Sequence, residues 1–197
     1  MVGARLVDLE SGREISCQAT KVVNATGVWI DDIQEMAGPS GLTVRAAKGV
    51  HIVVPRSCID SDSGIVLKTP RSVLFIIPWG IHWLIGTTDT EWDLDRAHPA
   101  ASQADIDYIL EQANEALERP LSEADIVGVY AGLRPLVSGK ADDTARLSRE
   151  HAVAQPVPGL ISIAGGKYTT YRVMAQDTID MVAEGSGGPF PSRAPTA

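Results

Sequence analysis

Residues Ile161-Ser162-Ile163-Ala164-Gly165-Gly166-Lys167-Tyr168-Thr169-Thr170-Tyr171-Arg172 constrain the fold of this chain more than any other stretch. An apolar, β-branched run stops at two glycines, hydroxyl residues follow, and helical spacing then runs from about Thr170 to Ala183. That order predicts a strand, a tight turn and a helix N-terminus. Glycine carries no Cβ, so the backbone at the turn can come close to a bound group. The helix start presents unpaired N–H donors and the positive end of a macrodipole. Lys167 adds a full cation beside it. The element is suited to holding something negatively charged.

The segments before it read as a mixture of strands and helices. Arg5 to Leu9 and Glu14 to Cys17 flank Ser11-Gly12 and predict a hairpin. Lys21 to Gly27 predicts a third strand. Val28 to Ala37 has helical spacing in Trp29, Ile33 and Met36 and is stopped by Gly38-Pro39. Four strands are expected at 49–55, 64–69, 73–78 and 81–86, with Trp79-Gly80 turning between the last two. Their short connections favour antiparallel neighbours. Ser102 suits an N-cap for a helix over 103–118, ended by Pro120, with Ile106, Ile109, Leu110, Ala113 and Leu117 as its apolar stripe. A strand over 125–135, a polar loop at 139–144 and a strand leading from His151 to Pro156 complete the pattern. Gly185 to Ala197 is rich in Gly, Pro and Ser, and disorder is expected there.

Composition excludes some classes of function. The chain has 197 residues and a formal net charge of −8, which opposes broad nucleic-acid binding. No run approaches the ~18 apolar residues of a membrane span. Met1 to Glu10 lacks the basic start and apolar core of a signal peptide. Cys17 and Cys58 lie far apart without metal-ligand spacing, so two reduced thiols in a cytoplasmic setting and no metal are expected.

Six ordered segments resemble the FAD-dependent glycerol-3-phosphate dehydrogenases. They are Lys21-Val-Val-Asn-Ala-Thr-Gly-Val-Trp29, Lys48-Gly-Val-His-Ile-Val-Val-Pro55, Ile85-Gly-Thr-Thr-Asp-Thr90, Gly132-Leu-Arg-Pro-Leu136, Ser148-Arg-Glu-His151 and the Gly165-Gly166 stretch. The resemblance runs over residues 5 to 184. It implies a mixed α/β, FAD/NAD(P)-binding-type flavoprotein fold with an inserted mixed or antiparallel substrate-binding sheet. The implied division is 1–38 and 156–184 for the FAD-binding pieces, 39–155 for the substrate-binding sheet and 185–197 for the tail.

The resemblance implies a reaction as well. A hydride leaves C2 of sn-glycerol 3-phosphate for N5 of FAD, dihydroxyacetone phosphate forms, and electrons pass to a quinone. The whole enzyme would be cytoplasmic and peripheral to the inner face of the membrane. By position, Arg134, Arg149 and Lys167 match residues around the substrate. Arg134 and Arg149 are the candidates for its phosphate, because a guanidinium can bond two oxygens at once. Lys167 and Arg134 are the catalytic candidates, Lys167 by favouring alkoxide-like charge at C2. Ala25, Thr26 and Gly27, with Gly165, Gly166, Lys167, Thr169 and Thr170, would face the FAD.

Other polar residues have plainer readings. His51 interrupts an apolar strand and reads as a satisfied core histidine before it reads as a base. His82 is weaker still as a candidate. Asp89 suits a turn-ordering role. Trp79, Trp83 and Trp92 suit core and rim, and Asp31-Asp32 suit a helix N-terminus.

One feature of complete flavoproteins does not occur, the Gly-x-Gly-x-x-Gly turn that grips the FAD pyrophosphate. The sequence therefore reads as an internal part of a longer enzyme, without the early Gly-rich segment and the C-terminal helical domain. The strands at 21–27 and 160–164 would then lack parallel neighbours. Two alternatives remain: a non-catalytic remnant or interaction module, and a related FAD-dependent amine or amino-acid oxidase.

Overall fold

The computed structural model describes residues 2–38, 41–70, 73–138 and 150–184. The expected polar loop at 139–144, the tail at 185–197 and Arg149 lie outside the described residues. Eleven strands and three α-helices are described, in the order β1 (Gly3–Val7), β2 (Glu14–Gln18), β3 (Val22–Asn24), α1 (Ile30–Glu35), β4 (Val44–Pro55), β5 (Ile65–Lys68), β6 (Val73–Trp79), β7 (His82–Gly86), β8 (Thr90–Glu91), α2 (Gln103–Asn114), β9 (Gly128–Val137), β10 (His151–Val157), β11 (Leu160–Gly165) and α3 (Tyr171–Ala183). They fall into two compact units, one within 2–45, 135–138 and 150–184, the other within 46–134. The fold is mixed α/β, with both parallel and antiparallel pairing.

In the first unit, β1 and β2 form the expected antiparallel hairpin. A separate sheet runs β10-β11-β3. β11 pairs antiparallel with β10 and parallel with β3, with Leu160 opposite Val22 and Ser162 opposite Asn24. The expectation that both β3 and β11 lack a parallel neighbour is thus corrected, because each is the other's. Their parallel register brings the Ala25-Thr26-Gly27 and Gly165-Gly166 turns to the same, carboxyl, end of the pair.

The short helix also departs from expectation. A 3-10 turn over Gly27–Trp29 precedes six residues of α-helix, and this rotates the buried face. Val28, Ile30 and Gln34 are buried, while Trp29 and Met36 are exposed. The Gln34 amide explains its burial: it donates to Leu42 O at 2.7 Å and accepts from Leu42 N at 3.1 Å.

The second unit is a six-stranded sheet ordered β5-β6-β7-β4-β8, with β9 also pairing β4. The β5, β6, β7, β4 and β8 pairings are antiparallel. Alternation in β4 sends Val50, Ile52 and Val54 into a core with Leu74, Ile76, Trp83 and Ile85 of the sheet and Ile109 and Ala113 of α2. Burying each of the valine, leucine and isoleucine side chains contributes about 1.5–3 kcal/mol. Gly49, His51 and Val53 take the opposite face. α2 starts as expected, in a capping box in which Ser102 and Asp105 exchange hydrogen bonds. It ends at Asn114, before Pro120, because the Asn114 amide bonds both N and O of Leu121 and folds the chain back.

Candidate active site

In the second unit, the segment 87–89 leaves the ladder between β7 and β8 and receives Arg134 from β9. The guanidinium donates from Nη2 to Thr87 Oγ1 at 2.8 Å and from Nη1 to Thr88 O at 3.2 Å. Asp89 Oδ1 lies 3.9 Å from Nη1. Beneath the group is Gly49, where a Cβ would stand only 2.4 Å from Nη2. Arg134 is therefore fixed on a glycine floor, with 31% of its side chain still open to solvent. A guanidinium held this way is preorganised for an anion with two acceptor oxygens.

His51 belongs to the same face. It sits opposite Gly86, whose missing Cβ makes room for the imidazole ring. The ring stacks on Tyr130 with centroids 5.0 Å apart and planes 6° from parallel. Its Nδ1 is buried with no hydrogen-bond partner among the described residues, which corrects the reading of a satisfied core histidine. Burial first, and then the nearby Arg134 charge, hold its pKa below the ordinary value. His51 is thus neutral at physiological pH.

Under this face, Lys48 is buried with its Nζ 2.6 Å from Asp105 Oδ2 and 3.2 Å from Ala100 O. It also stands 5.0 Å from the Trp92 ring. Burial pushes the Asp105 carboxyl up, but bonds from Lys48 and Ser102 outweigh it and hold the pKa below the usual range. The pair flanks a cavity of about 330 Å³ that Trp92, Tyr108 and Asp89 also line.

The first unit carries the turns expected to face FAD. Gly27 has φ +62 and open space where a Cβ would point. The turn before it is held by Asn24, which accepts from Thr26 Oγ1 at 2.7 Å and donates to Ile30 O at 3.0 Å. Gly165 and Gly166 both have φ +76. At these two the crowding comes from the protein: a Cβ would meet Glu150 O at Gly165 and Met174 at Gly166. Lys167 N–H donates to Thr170 Oγ1 at 3.2 Å, and that hydroxyl donates back to Lys167 O at 3.0 Å. The side chains of Lys167, Tyr168 and Thr169 are exposed at the start of the helical segment. His151 reaches Asp177 at 2.7 Å and ties β10 to α3.

A helix start, an exposed cation and a glycine turn with open space beside it suit the polar edge of a flavin ring, so Gly27, the Gly165-Gly166 turn, Lys167 and Thr169 are the residues that could hold that part of FAD. Among the expected site residues, the structure gathers Ala25, Thr26, Gly27, Gly165, Gly166, Lys167, Thr169 and Thr170 in the first unit and Arg134 in the second. Sequence reasoning did not find the seats, Gly49 and Gly86, or the holders, Thr87 and Thr88. The glycines inside the Lys-Gly-Val-His and Ile-Gly-Thr-Thr motifs were the available signal. Among the described residues no cluster of three or more His, Cys, Asp or Glu could hold a metal ion. No helix among them is long and apolar enough to cross a membrane.

The profile of the family described as FAD dependent oxidoreductase (DAO) matches residues 2–172. The chain belongs to this family. Within the family it is 61% identical over 181 residues to the glycerol-3-phosphate dehydrogenase of Mycobacterium leprae, covering 91% of this chain and 31% of that protein. It is 38% identical over 184 residues to the mitochondrial glycerol-3-phosphate dehydrogenase of Homo sapiens, covering 90% of this chain and 25% of that one. The crystal structure of the glycerol-3-phosphate dehydrogenase from Bacillus halodurans complexed with FAD superimposes with a TM-score of 0.82 at 36% identity, covering 96% of this chain and 37% of that one. The chain thus spans 31% and 25% of the two relatives' lengths.

Proposed function

We propose that this chain is the substrate-binding and flavin-ring part of an enzyme that oxidises sn-glycerol 3-phosphate to dihydroxyacetone phosphate, with FAD as hydride acceptor and a quinone as final electron acceptor. The observation that carries the reading is the Arg134 guanidinium, fixed by Thr87, Thr88 and Gly49 yet partly open, beside a neutral His51. The similarity to glycerol-3-phosphate dehydrogenases supports the choice of substrate.

Arg134 takes two oxygens of the substrate phosphate. Oxidation of an alcohol removes a proton from oxygen as well as a hydride from carbon. FAD, when bound, supplies the hydride acceptor at N5. The neutral His51 accepts the C2 hydroxyl proton at Nε2, since Nδ1 is buried. Lys167 favours negative charge on the C2 oxygen. Arg149 is the second phosphate ligand. The residues 39–155 form the substrate-binding part, 1–38 and 156–184 the cofactor-binding part, and the whole enzyme acts in the cytoplasm, peripheral to the inner face of the membrane, where the quinone is met.

Steady-state kinetics of the whole flavin-loaded enzyme that contains this chain test the assignment. Arg134→Ala should raise KM for sn-glycerol 3-phosphate by roughly ten- to a hundred-fold, the loss of one charge-assisted contact. An unchanged KM would remove Arg134 from the phosphate site. Turnover of glycine in place of the phosphorylated substrate would select the amino-acid oxidase reading, and no flavin uptake a non-catalytic module.

A further inference from the structure

The Arg134 seat depends on a side chain that no motif singles out as functional. Thr88 is buried, with 3% of its surface exposed, in a segment that belongs to no strand. Its Oγ1 accepts the Val50 N–H at 3.0 Å and donates to Lys48 O at 3.4 Å. Those two backbone groups flank Gly49, the residue on which the guanidinium rests. The carbonyl of Thr88 accepts from Arg134 Nη1 and also from the hydroxyl of Thr87, the other residue that holds Arg134. One hydroxyl thus joins the segment that grips the guanidinium to the strand that floors it. The strand is anchored in turn, because Lys48 runs into the buried contact with Asp105 at the start of α2.

We propose that Thr88 is a positioning residue that sets preference for a phosphorylated substrate by fixing Arg134. The proposal rests on the assignment of Arg134 to the phosphate. A substrate anion then meets a guanidinium whose direction is already set, and none of its binding energy is used to order the side chain. Loss of the hydroxyl lets segment 87–89 shift against β4, so Arg134 keeps its charge and loses its direction. A valine at 88 has nearly the same shape and cannot make either hydrogen bond.

The test uses the flavin-loaded protein and four variants: Thr88→Val, Thr88→Ser, Arg134→Ala and the double change Thr88→Val with Arg134→Ala. Thr88→Val should raise KM for sn-glycerol 3-phosphate about ten-fold and change kcat by less than about three-fold. Thr88→Ser, which keeps the hydroxyl, should return KM to within about three-fold of the unchanged protein. In the Arg134→Ala background, Thr88→Val should add less than about two-fold, since its effect travels through the missing group. Equal losses in kcat and KM, or full additivity with Arg134→Ala, would show that Thr88 only stabilises the fold and would overturn the proposal. If Arg134→Ala itself leaves KM unchanged, the phosphate assignment fails on its own account. Should Thr88→Val not fold, Thr88→Ala, assayed at low temperature, reads the same kcat and KM split.

Discussion

Gly49→Ala separates the function of the Arg134 seat from the stability of the sheet. The added methyl carbon would stand 2.4 Å from Nη2 and 2.7 Å from both Cζ and Nη1. Carbon and nitrogen settle near ~3.5 Å, so the guanidinium must recede by about 1 Å. Its bonds to Thr87 Oγ1, now 2.8 Å, and Thr88 O, now 3.2 Å, would then open beyond hydrogen-bond range. A hydrogen bond to a charged group contributes ~1.5–3 kcal/mol, so affinity for the phosphorylated substrate should fall by roughly ten- to a hundred-and-fifty-fold. Stability should change much less than affinity, because the displaced guanidinium is partly exposed and water can replace the bonds it loses. The displaced atoms are the far end of a flexible side chain, and a strand glycine is roughly 0.5–1 kcal/mol less favourable than alanine. Calorimetric titration of sn-glycerol 3-phosphate into the flavin-loaded variant gives the affinity, and a thermal melt gives the stability. Weak binding with at most a modest fall in Tm is expected. Unaltered affinity would refute the reasoning, because it would mean that the position of the guanidinium does not matter.

Two other perturbations probe the surroundings of the seat. Lys48→Met leaves Asp105 buried without its cation and should cost about 3–5 kcal/mol in urea unfolding, while adding Asp105→Asn should recover much of the loss; a single change within ~1 kcal/mol would contradict the buried pair. The pKa of His51 is lowered from 6.5, so the unfolded chain binds that proton first, and the folded state loses stability as pH falls below about 6.5 while losing nothing above it; His51→Gln should flatten that part of the stability profile, and parallel profiles for the two proteins would count against a neutral, half-buried His51.

Much of this was legible in the sequence where the physics is local. The run from Ile161 to Arg172 becomes a strand, two glycines at φ +76 and a helical start, because apolar β-branched residues, unhindered backbone and hydroxyl residues each act over a few positions. Ser102 caps α2 for the same reason. Expectations failed where distant residues decide. The short helix buries Ile30 and Gln34 in place of Trp29 and Met36, since a 3-10 turn shifts its phase and Leu42 captures the Gln34 amide. α2 stops early because Asn114 prefers the backbone of Leu121 to another helical turn. The site divides similarly. A motif pointed to Arg134, but its place near His51, beside Thr87 and over Gly49, is set by pairing between strands far apart in the chain. Periodicity within a strand carries no information about such pairings.

The proposed reaction is tested most directly by mixing the flavin-loaded protein with sn-glycerol 3-phosphate in the absence of oxygen and following the visible absorbance of the flavin. Rapid bleaching by sn-glycerol 3-phosphate, no bleaching by glycine and bleaching slowed by Arg134→Ala are expected. Flavin that stays oxidised in the presence of the phosphorylated substrate, or that is bleached by glycine alone, would contradict the account.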